Sequence, residues 1–164
     1  MPNEQLAGGM TWLSFSMITV ASWGCYGILL HTGQMGMQDP VNGRYKAFLF
    51  VGVAYLLTAV IGSLVVLKVG GVEWTFPGKG TWWSLIAGCA GALGAFGILL
   101  AFGAKGTPPV VMTIVFAGAP IVNAIVSMVV HPPSAGLAAI NWQFVVGILM
   151  AAGGASLVTL FRPH

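Results

Sequence analysis

The chain has 164 residues, of which 57% are hydrophobic and only 5% are charged, and its formal net charge is +3 at pH 7. A soluble domain carries about 25% charged residues, so this composition excludes a well-solvated globular surface. The six basic residues are spread over the loops and form no cluster, which excludes a nucleic-acid-binding protein.

Five apolar stretches follow one another along the chain, and we predict that each is a transmembrane helix. They cover residues 10–31, 47–67, 83–104, 109–130 and 143–161. A helix of about 20 residues crosses about 30 Å of hydrocarbon, and backbone in lipid must satisfy its own hydrogen bonds. We therefore expect an all-α membrane protein with one five-helix domain over residues 1–164, and with its termini on opposite sides of the lipid bilayer.

The first stretch is unusually polar and aromatic. Four of its side chains recur at helical spacing and share one face: Ser16, Thr19, Trp23 and Tyr26. Buried Trp and Tyr need a hydrogen-bond partner, so this face is expected to look into the bundle, at a substrate or at a neighbouring helix. Tyr55 and Thr58 give the second stretch a smaller version of the same signal.

The two long connections differ in character. The first, Thr32–Lys46, is rich in Gly, Asp, Asn and Pro and is predicted to be the longest and most polar loop. The second, Lys68–Trp82, carries or borders four aromatic residues: Trp74, Phe76, Trp82 and Trp83. We expect these rings in the headgroup belt of the membrane.

Two stretches carry stripes of small residues, which let helix backbones approach closely in a membrane. The stripe of the third stretch consists of Gly88, Gly91, Gly94 and Gly97, and it predicts close packing or a ligand cavity. The stripe of the fifth consists of Gly147, Ala151 and Ala155. This second stripe predicts either a subunit interface or packing inside the bundle.

The fourth stretch follows a tight turn, Gly106–Pro109, and contains Pro120 near its middle, with Asn123 one turn later. Proline removes one helical hydrogen bond and bends the helix, which exposes a carbonyl group to other partners. Bent helices line substrate sites in transporters, although proline also produces plain kinks. Pro120 and Asn123 are therefore candidates for a midplane substrate site.

The sequence lacks the residues that most enzymes require. Neither a Ser/His/Asp nor a Cys/His arrangement, paired carboxylates, a phosphate-binding glycine loop or a metal motif is present. His31, Lys105 and His131 are the ionisable groups nearest the membrane interior, and each is at a predicted helix end. We expect no catalytic residue, no metal and no cofactor, and we predict that the chain is not an enzyme.

Basic residues near the helix ends indicate orientation. The side of the membrane that holds the N-terminus carries Lys68 and Lys79, and the opposite side carries Arg44, Lys46, Lys105 and Arg162. This count favours a cytoplasmic C-terminus, and so small a difference is also typical of proteins that insert both ways.

Taken together, these motifs resemble one five-helix repeat of the drug/metabolite transporter superfamily, in its EamA-like group. The matching features are Trp23-Gly24, Arg44 before helix two, the glycine-rich third helix, Gly118-Ala119-Pro120, Trp142-Gln143, and Gly147 with Gly153-Gly154. Two features depart from the family pattern. His131-Pro132-Pro133 stands where family repeats carry a Gly-Glu pair, and the first helix lacks the carboxylate of the small multidrug resistance proteins.

The resemblance implies half of a transporter in a bacterial inner membrane, working as a homodimer or beside a second half-transporter. Its small-molecule substrate would occupy a midplane cavity, for which Trp23, Tyr26, Tyr55, Pro120 and Asn123 are the candidate lining residues. The alternative is a membrane accessory or assembly subunit that pairs with another chain, which the lack of buried charge favours.

Overall fold

A computed structural model describes residues 2–132 and 140–161, with side chains from Thr11 onward. The helices are α1 (Pro2–Gly36), α2 (Gly43–Tyr55), α3 (Gly62–Val69), α4 (Gly78–Gly103), α5 (Pro108–Val130) and α6 (Trp142–Leu160), with a π-helical segment, Leu56–Ile61, joining α2 to α3. No strand occurs among the described residues. The predicted all-α fold is confirmed.

Within the described parts of the chain, five helical segments are long and apolar enough to cross a membrane. They are Thr11–Gly36, Gly43–Val69, Gly78–Gly103, Pro108–Val130 and Trp142–Leu160. Each overlaps one predicted stretch, so the chain is a multi-pass integral membrane protein. The aromatic side chains Trp74, Phe76, Trp82 and Trp83 are all exposed around the start of α4, where the headgroup belt was expected.

The first connection is shorter than predicted. Helix α1 continues through Gly33 to Gly36 and α2 already begins at Gly43, which leaves Met37–Asn42 between them instead of residues 32–46. The prediction treated Gly33 as a breaker. A glycine inside a helix costs only about 1 kcal/mol relative to alanine, which the surrounding helical hydrogen bonds offset.

Asp39 organises this connection. Its Oδ1 accepts hydrogen bonds from the backbone N–H groups of Val41 (3.1 Å) and Asn42 (2.9 Å), and its Oδ2 accepts one from Lys46 Nζ at 2.7 Å. The Asp39 carbonyl also accepts the N–H of Gly43, the first residue of α2. The lysine hydrogen bond, followed by that from Asn42, lowers the pKa of Asp39 from 3.8 to about 2.

We expect Asp39→Asn to lower the melting temperature at pH 7, because the amide cannot form the ion pair with Lys46. The folded-state pKa is lowered, so the stabilisation is present above about pH 4 and is lost as the pH falls toward 2. Melting curves of both proteins in detergent at pH 7, 4 and 2 should therefore converge at the lowest pH. Glu73→Gln is the control, since the ion pair found among the described residues does not include Glu73. A difference independent of pH would contradict this account.

The second membrane segment is not a uniform α-helix. Residues Leu56–Ile61 form a π-helical turn between α2 and α3, so the backbone is locally wider than an α-helix. The turn contains neither glycine nor proline, and no sequence signal marked it. It begins directly after Tyr55, one of the predicted cavity residues.

The chain divides into two compact units, residues 1–105 and residues 106–164. In the first unit α1, α2 and α4 pack against one another. Their buried side chains are Leu30, Ala47, Ala95, Ile98, Leu99 and Phe102. These lie toward the end of α1, the start of α2 and the end of α4, so the core occupies the half of the unit next to the α1–α2 connection.

In the second unit α5 packs against α6. Helix α5 continues through Pro120 to Val130, and Met112 is its buried side chain. The partly buried positions of α6 are Ile148, Ala152, Ala155 and Thr159. Their spacing of three and four residues defines the α6 face that meets α5.

Candidate functional site

A cavity of about 470 Å³ lies between α1 and the second membrane segment. Helix α1 lines it with Tyr26, Leu30 and Gly33 at positions i, i+4 and i+7, and Met37, the first residue after the helix, continues this stripe. The opposing segment contributes a stripe of the same spacing: Ala47, Val51, Ala54 and Thr58. Leu29, Phe50 and Tyr55 border these stripes. Its volume falls within the range of small-molecule sites.

The polar end of the cavity lies deep in the predicted hydrocarbon region. Tyr26 is ten residues from Gly36, about 15 Å along the helix, and Tyr55 is twelve residues from Gly43, about 18 Å. Both tyrosines are therefore near the midpoints of their membrane segments. Met37 and Ala47 mark the other end of the cavity, next to the α1–α2 connection.

Tyr26 is the most distinctive residue of this site. Its hydroxyl oxygen is enclosed by protein and has no hydrogen-bond partner among the described residues. The Trp23 ring packs against the Tyr26 ring, with 5.9 Å between centroids and an interplanar angle of 37°. Because the hydroxyl is enclosed, Tyr26 presents its ring, and not its hydroxyl, to the cavity.

Thr58 differs from Tyr26, since its hydroxyl already has a partner. Its Oγ1 donates to the Ala54 carbonyl at 2.8 Å, within the same membrane segment. Thr58 is part of the π-helical turn, which is therefore one wall of the cavity. Short π-helical segments are frequent at functional sites.

The cavity carries no formal charge. No Asp, Glu, Lys, Arg or His is among the described residues that line it. Tyr26, Tyr55 and Thr58 supply the polar side chains, and the remaining lining residues are apolar or glycine. A charged ligand would lose its hydration here without gaining a counter-charge.

The structure brings together some of the predicted cavity residues. Tyr26 and Tyr55 line the same cavity, and Trp23 contacts Tyr26 from beside it. Pro120 and Asn123 are exposed residues of α5 in the second unit. Their contribution to a substrate site stays a prediction.

Two hydroxyl groups on the predicted polar face of α1 are hydrogen-bonded within their own helix. Ser16 Oγ donates to the Trp12 carbonyl at 2.9 Å and Thr19 Oγ1 donates to the Phe15 carbonyl at 3.2 Å. A hydroxyl that donates to a carbonyl of its own helix does not need a neighbouring helix as its partner. Of this face, Tyr26 is the residue whose polar atom is enclosed between helices.

Sequence reasoning missed the residues that create the empty space. Gly33, Ala47 and Ala54 lie on the two opposing stripes and leave room where larger side chains would meet. A Cβ atom built on Gly33 would find no heavy atom within 4 Å. The available signal was weak: one glycine on α1, and two alanines seven residues apart on the second membrane segment.

The glycines of the two predicted small-residue stripes have no close neighbours in the structure. A Cβ atom built on any glycine of the α4 stripe, or on Gly147 of α6, would meet no heavy atom within 4 Å. Ala151 is exposed and Ala155 is partly buried against α5, where it lines a cavity of about 310 Å³ with Ile114 and Thr159. A packing role for the other stripe residues stays a prediction.

The Arg44 side chain lies in the half of the first unit that contains the buried core. The Arg44 guanidinium packs against Gly103 at the end of α4 and lies 5.1 Å from the centroid of the Tyr45 ring. Nearby, the His31 ring makes an edge contact with Phe102, with 5.4 Å between centroids. These contacts join α1, α2 and α4, so we assign them to packing.

Among the described residues, no group of three or more His, Cys, Asp or Glu side chains could hold a metal ion. Cys25 and Cys89 are free thiols on α1 and α4.

Comparisons with protein-family models, with curated proteins and with solved structures find no match to this chain. The functional argument therefore depends on the cavity itself.

Proposed function

We propose that this protein is a membrane transporter for small molecules, of the drug/metabolite type, and that the cavity between α1 and the second membrane segment holds the substrate. The observation that carries the proposal is the depth of the cavity, which reaches Tyr26 and Tyr55 near the midpoints of two membrane segments. Transporters bind their substrates near the bilayer midplane, between segments with irregular helical geometry. The π-helical turn at Leu56–Ile61 supplies such a segment.

In this proposal the working unit is a dimer of five-helix chains in a bacterial plasma membrane, with the C-terminus in the cytoplasm when the orientation is fixed. The cavity is partly open, and a partner repeat would close it. Movement of the two repeats against each other would expose the site to either side in turn. The exposed glycine stripe of α4 offers a surface for close helix packing between repeats.

Transport can be tested with purified protein in liposomes loaded with a mixture of small metabolites and drugs, by following the loss of each compound with mass spectrometry. We expect Trp23→Ala to slow the flux of a transported compound severalfold, because the Trp23 ring supports Tyr26. Asn123→Leu tests the predicted contribution of α5. Trp12→Ala is the matched control, since Trp12 is an exposed aromatic residue of the same helix that does not line the cavity.

A flux equal to that of empty liposomes for every compound would contradict the transporter proposal. Unchanged flux in both variants, with the wild type active, would instead remove these two residues from the site.

The second candidate function is an accessory subunit that pairs with a different membrane chain. The observation that favours it is the large exposed apolar surface beside a core of few buried side chains. Crosslinking in native membranes separates the two functions. A dominant partner of another sequence, with no homodimer, would support the accessory subunit.

A further inference from the structure

We propose that the first unit binds the headgroup of an anionic phospholipid beside the α1–α2 connection, and that Arg44 and Lys105 hold its phosphate group. Arg44 is the second residue of α2, and Lys105 follows the end of α4 by two residues. Both belong to the compact unit of residues 1–105, and we call them the basic surface. Lipid binding does not depend on transport, so this inference stands or falls separately from the proposed function.

Arg44 carries a positive charge without an acidic partner among the described residues. The ion pair found there joins Lys46 to Asp39. The Arg44 guanidinium packs against Gly103 and lies 5.1 Å from the centroid of the Tyr45 ring, so it is held in place between two exposed residues. Its Nε is enclosed by protein, whereas its terminal nitrogens Nη1 and Nη2 are not. These two terminal nitrogens are therefore the groups that can reach an anion.

Lys105 places a second cation beside the first. It lies two residues after Gly103, the glycine that the guanidinium contacts, and it is exposed. The Lys105 backbone has a φ of 69°, and its N–H donates to the Phe102 carbonyl at 3.1 Å, which fixes the turn that ends α4. The ion pair of Lys46 with Asp39 does not include Lys105. The two positive charges therefore lie close together on one surface.

The acidic side chains of the first unit do not balance these charges. The sequence contains three of them: Glu4, Asp39 and Glu73. Asp39 is the one beside the α1–α2 connection, and it already accepts a hydrogen bond from Lys46 at 2.7 Å. The other two lie beyond the opposite ends of the first two membrane segments. A ligand with a negative charge is therefore needed to neutralise the basic surface.

The level of the basic surface in the membrane identifies this ligand. Arg44 is near the start of the segment Gly43–Val69, and Lys105 comes just after the segment Gly78–Gly103. Both charges are therefore at the boundary of the hydrocarbon, where lipid headgroups lie. Arginine binds phosphate through parallel N–H donors and lysine binds it as a point charge, and basic pockets between membrane helices bind anionic headgroups. A zwitterionic headgroup carries its own cation and gains less from this surface.

The test measures lipid binding to the full-length protein in detergent micelles by native mass spectrometry. The two probes are phosphatidylglycerol, which is anionic, and phosphatidylcholine, which is zwitterionic, with identical acyl chains. We expect the first phosphatidylglycerol to bind about 25-fold more tightly, because each basic residue near a lipid surface contributes about fivefold. Excess inorganic phosphate should not displace this lipid, because it lacks the acyl chains that also contact the helices.

Variants connect the preference to the two residues. Lys105→Gln removes an exposed charge, so it should leave the fold intact and weaken phosphatidylglycerol binding about fivefold. Arg44→Gln should weaken it fivefold or more, and Arg44→Lys should recover part of the loss because the charge returns without the second donor. Lys79→Gln is the matched control for Lys105→Gln, since Lys79 is an exposed lysine at the other end of α4.

Equal affinity of the wild type for the two lipids would overturn the proposal. An unchanged preference in both Lys105→Gln and Arg44→Gln would also overturn it. An equal loss in Lys79→Gln and Lys105→Gln would mean that net charge decides and that the basic surface does not. Displacement by inorganic phosphate would assign the surface to a soluble anion instead of a lipid.

Discussion

Replacing Gly33 by phenylalanine is expected to reduce the proposed transport activity by about tenfold or more, a change that corresponds to roughly 1.4 kcal/mol or more in the barrier. Gly33 lies in the middle of the α1 stripe that lines the cavity, and a Cβ atom there would meet no heavy atom within 4 Å. The helix therefore tolerates a side chain at this position, and its ring would extend into the space that the substrate needs. The measurement is the flux of a transported compound from proteoliposomes.

Gly24→Phe is the matched control for this experiment. Gly24 is another glycine of α1 whose Cβ atom would meet no heavy atom within 4 Å, but it does not line the cavity. Both variants add the same ring to the same helix, so differences in insertion or folding should be small. Equal loss of flux in the two would mean that bulk on α1 matters and that the cavity does not.

Hydropathy predicted the five membrane segments well because backbone in lipid has few alternatives. A long apolar run must form a helix there, whatever its detailed sequence. The ends were less predictable. Gly33 and Gly36 are both typical helix breakers, yet α1 continues through Gly33 and ends only at Gly36. The hydrogen bonds and ion pair of Asp39 organise the reversal that follows.

The cavity could be predicted only in part. Tyr26 and Tyr55 were candidates because a tyrosine inside a membrane helix needs a hydrogen-bond partner, and both line this cavity. The π-helical turn beside Tyr55 was not, because Leu56–Ile61 is an ordinary apolar sequence and its geometry depends on packing. Ser16 and Thr19 donate to carbonyl groups of their own helix, so their hydroxyls do not show which way this face of α1 looks.

Within the first unit, α4 packs through larger side chains, and the packing role of its glycine stripe stays a prediction. The α4 contacts with α1 and α2 involve Ala95, Ile98, Leu99 and Phe102, which are buried, while the glycine stripe is exposed. Large side chains also fill the space between membrane helices when they interlock. The core of the first unit therefore depends on side-chain shape as well as on close backbone approach.

Leu99→Ala is expected to destabilise the protein by about 2–4 kcal/mol, the largest effect we predict for a core substitution. Leu99 is the side chain with no exposed surface among the buried residues. Lipid is as apolar as leucine, so moving the residue out of water contributes little here, and the loss comes from the contacts removed and the cavity left behind. Reversible unfolding in mixed micelles measures this free energy.

Leu93→Ala is the matched control, because it makes the same substitution at an exposed position of α4. Leu93 lies on the same helix and is 70% exposed, so its truncation removes few protein contacts and should change the unfolding free energy by less than about 1 kcal/mol. A large effect at Leu93 with a small one at Leu99 would mean that α4 packs through its other face. In that case the glycine stripe, and not the Leu99 cluster, would hold the cavity walls of α1 and α2 in place.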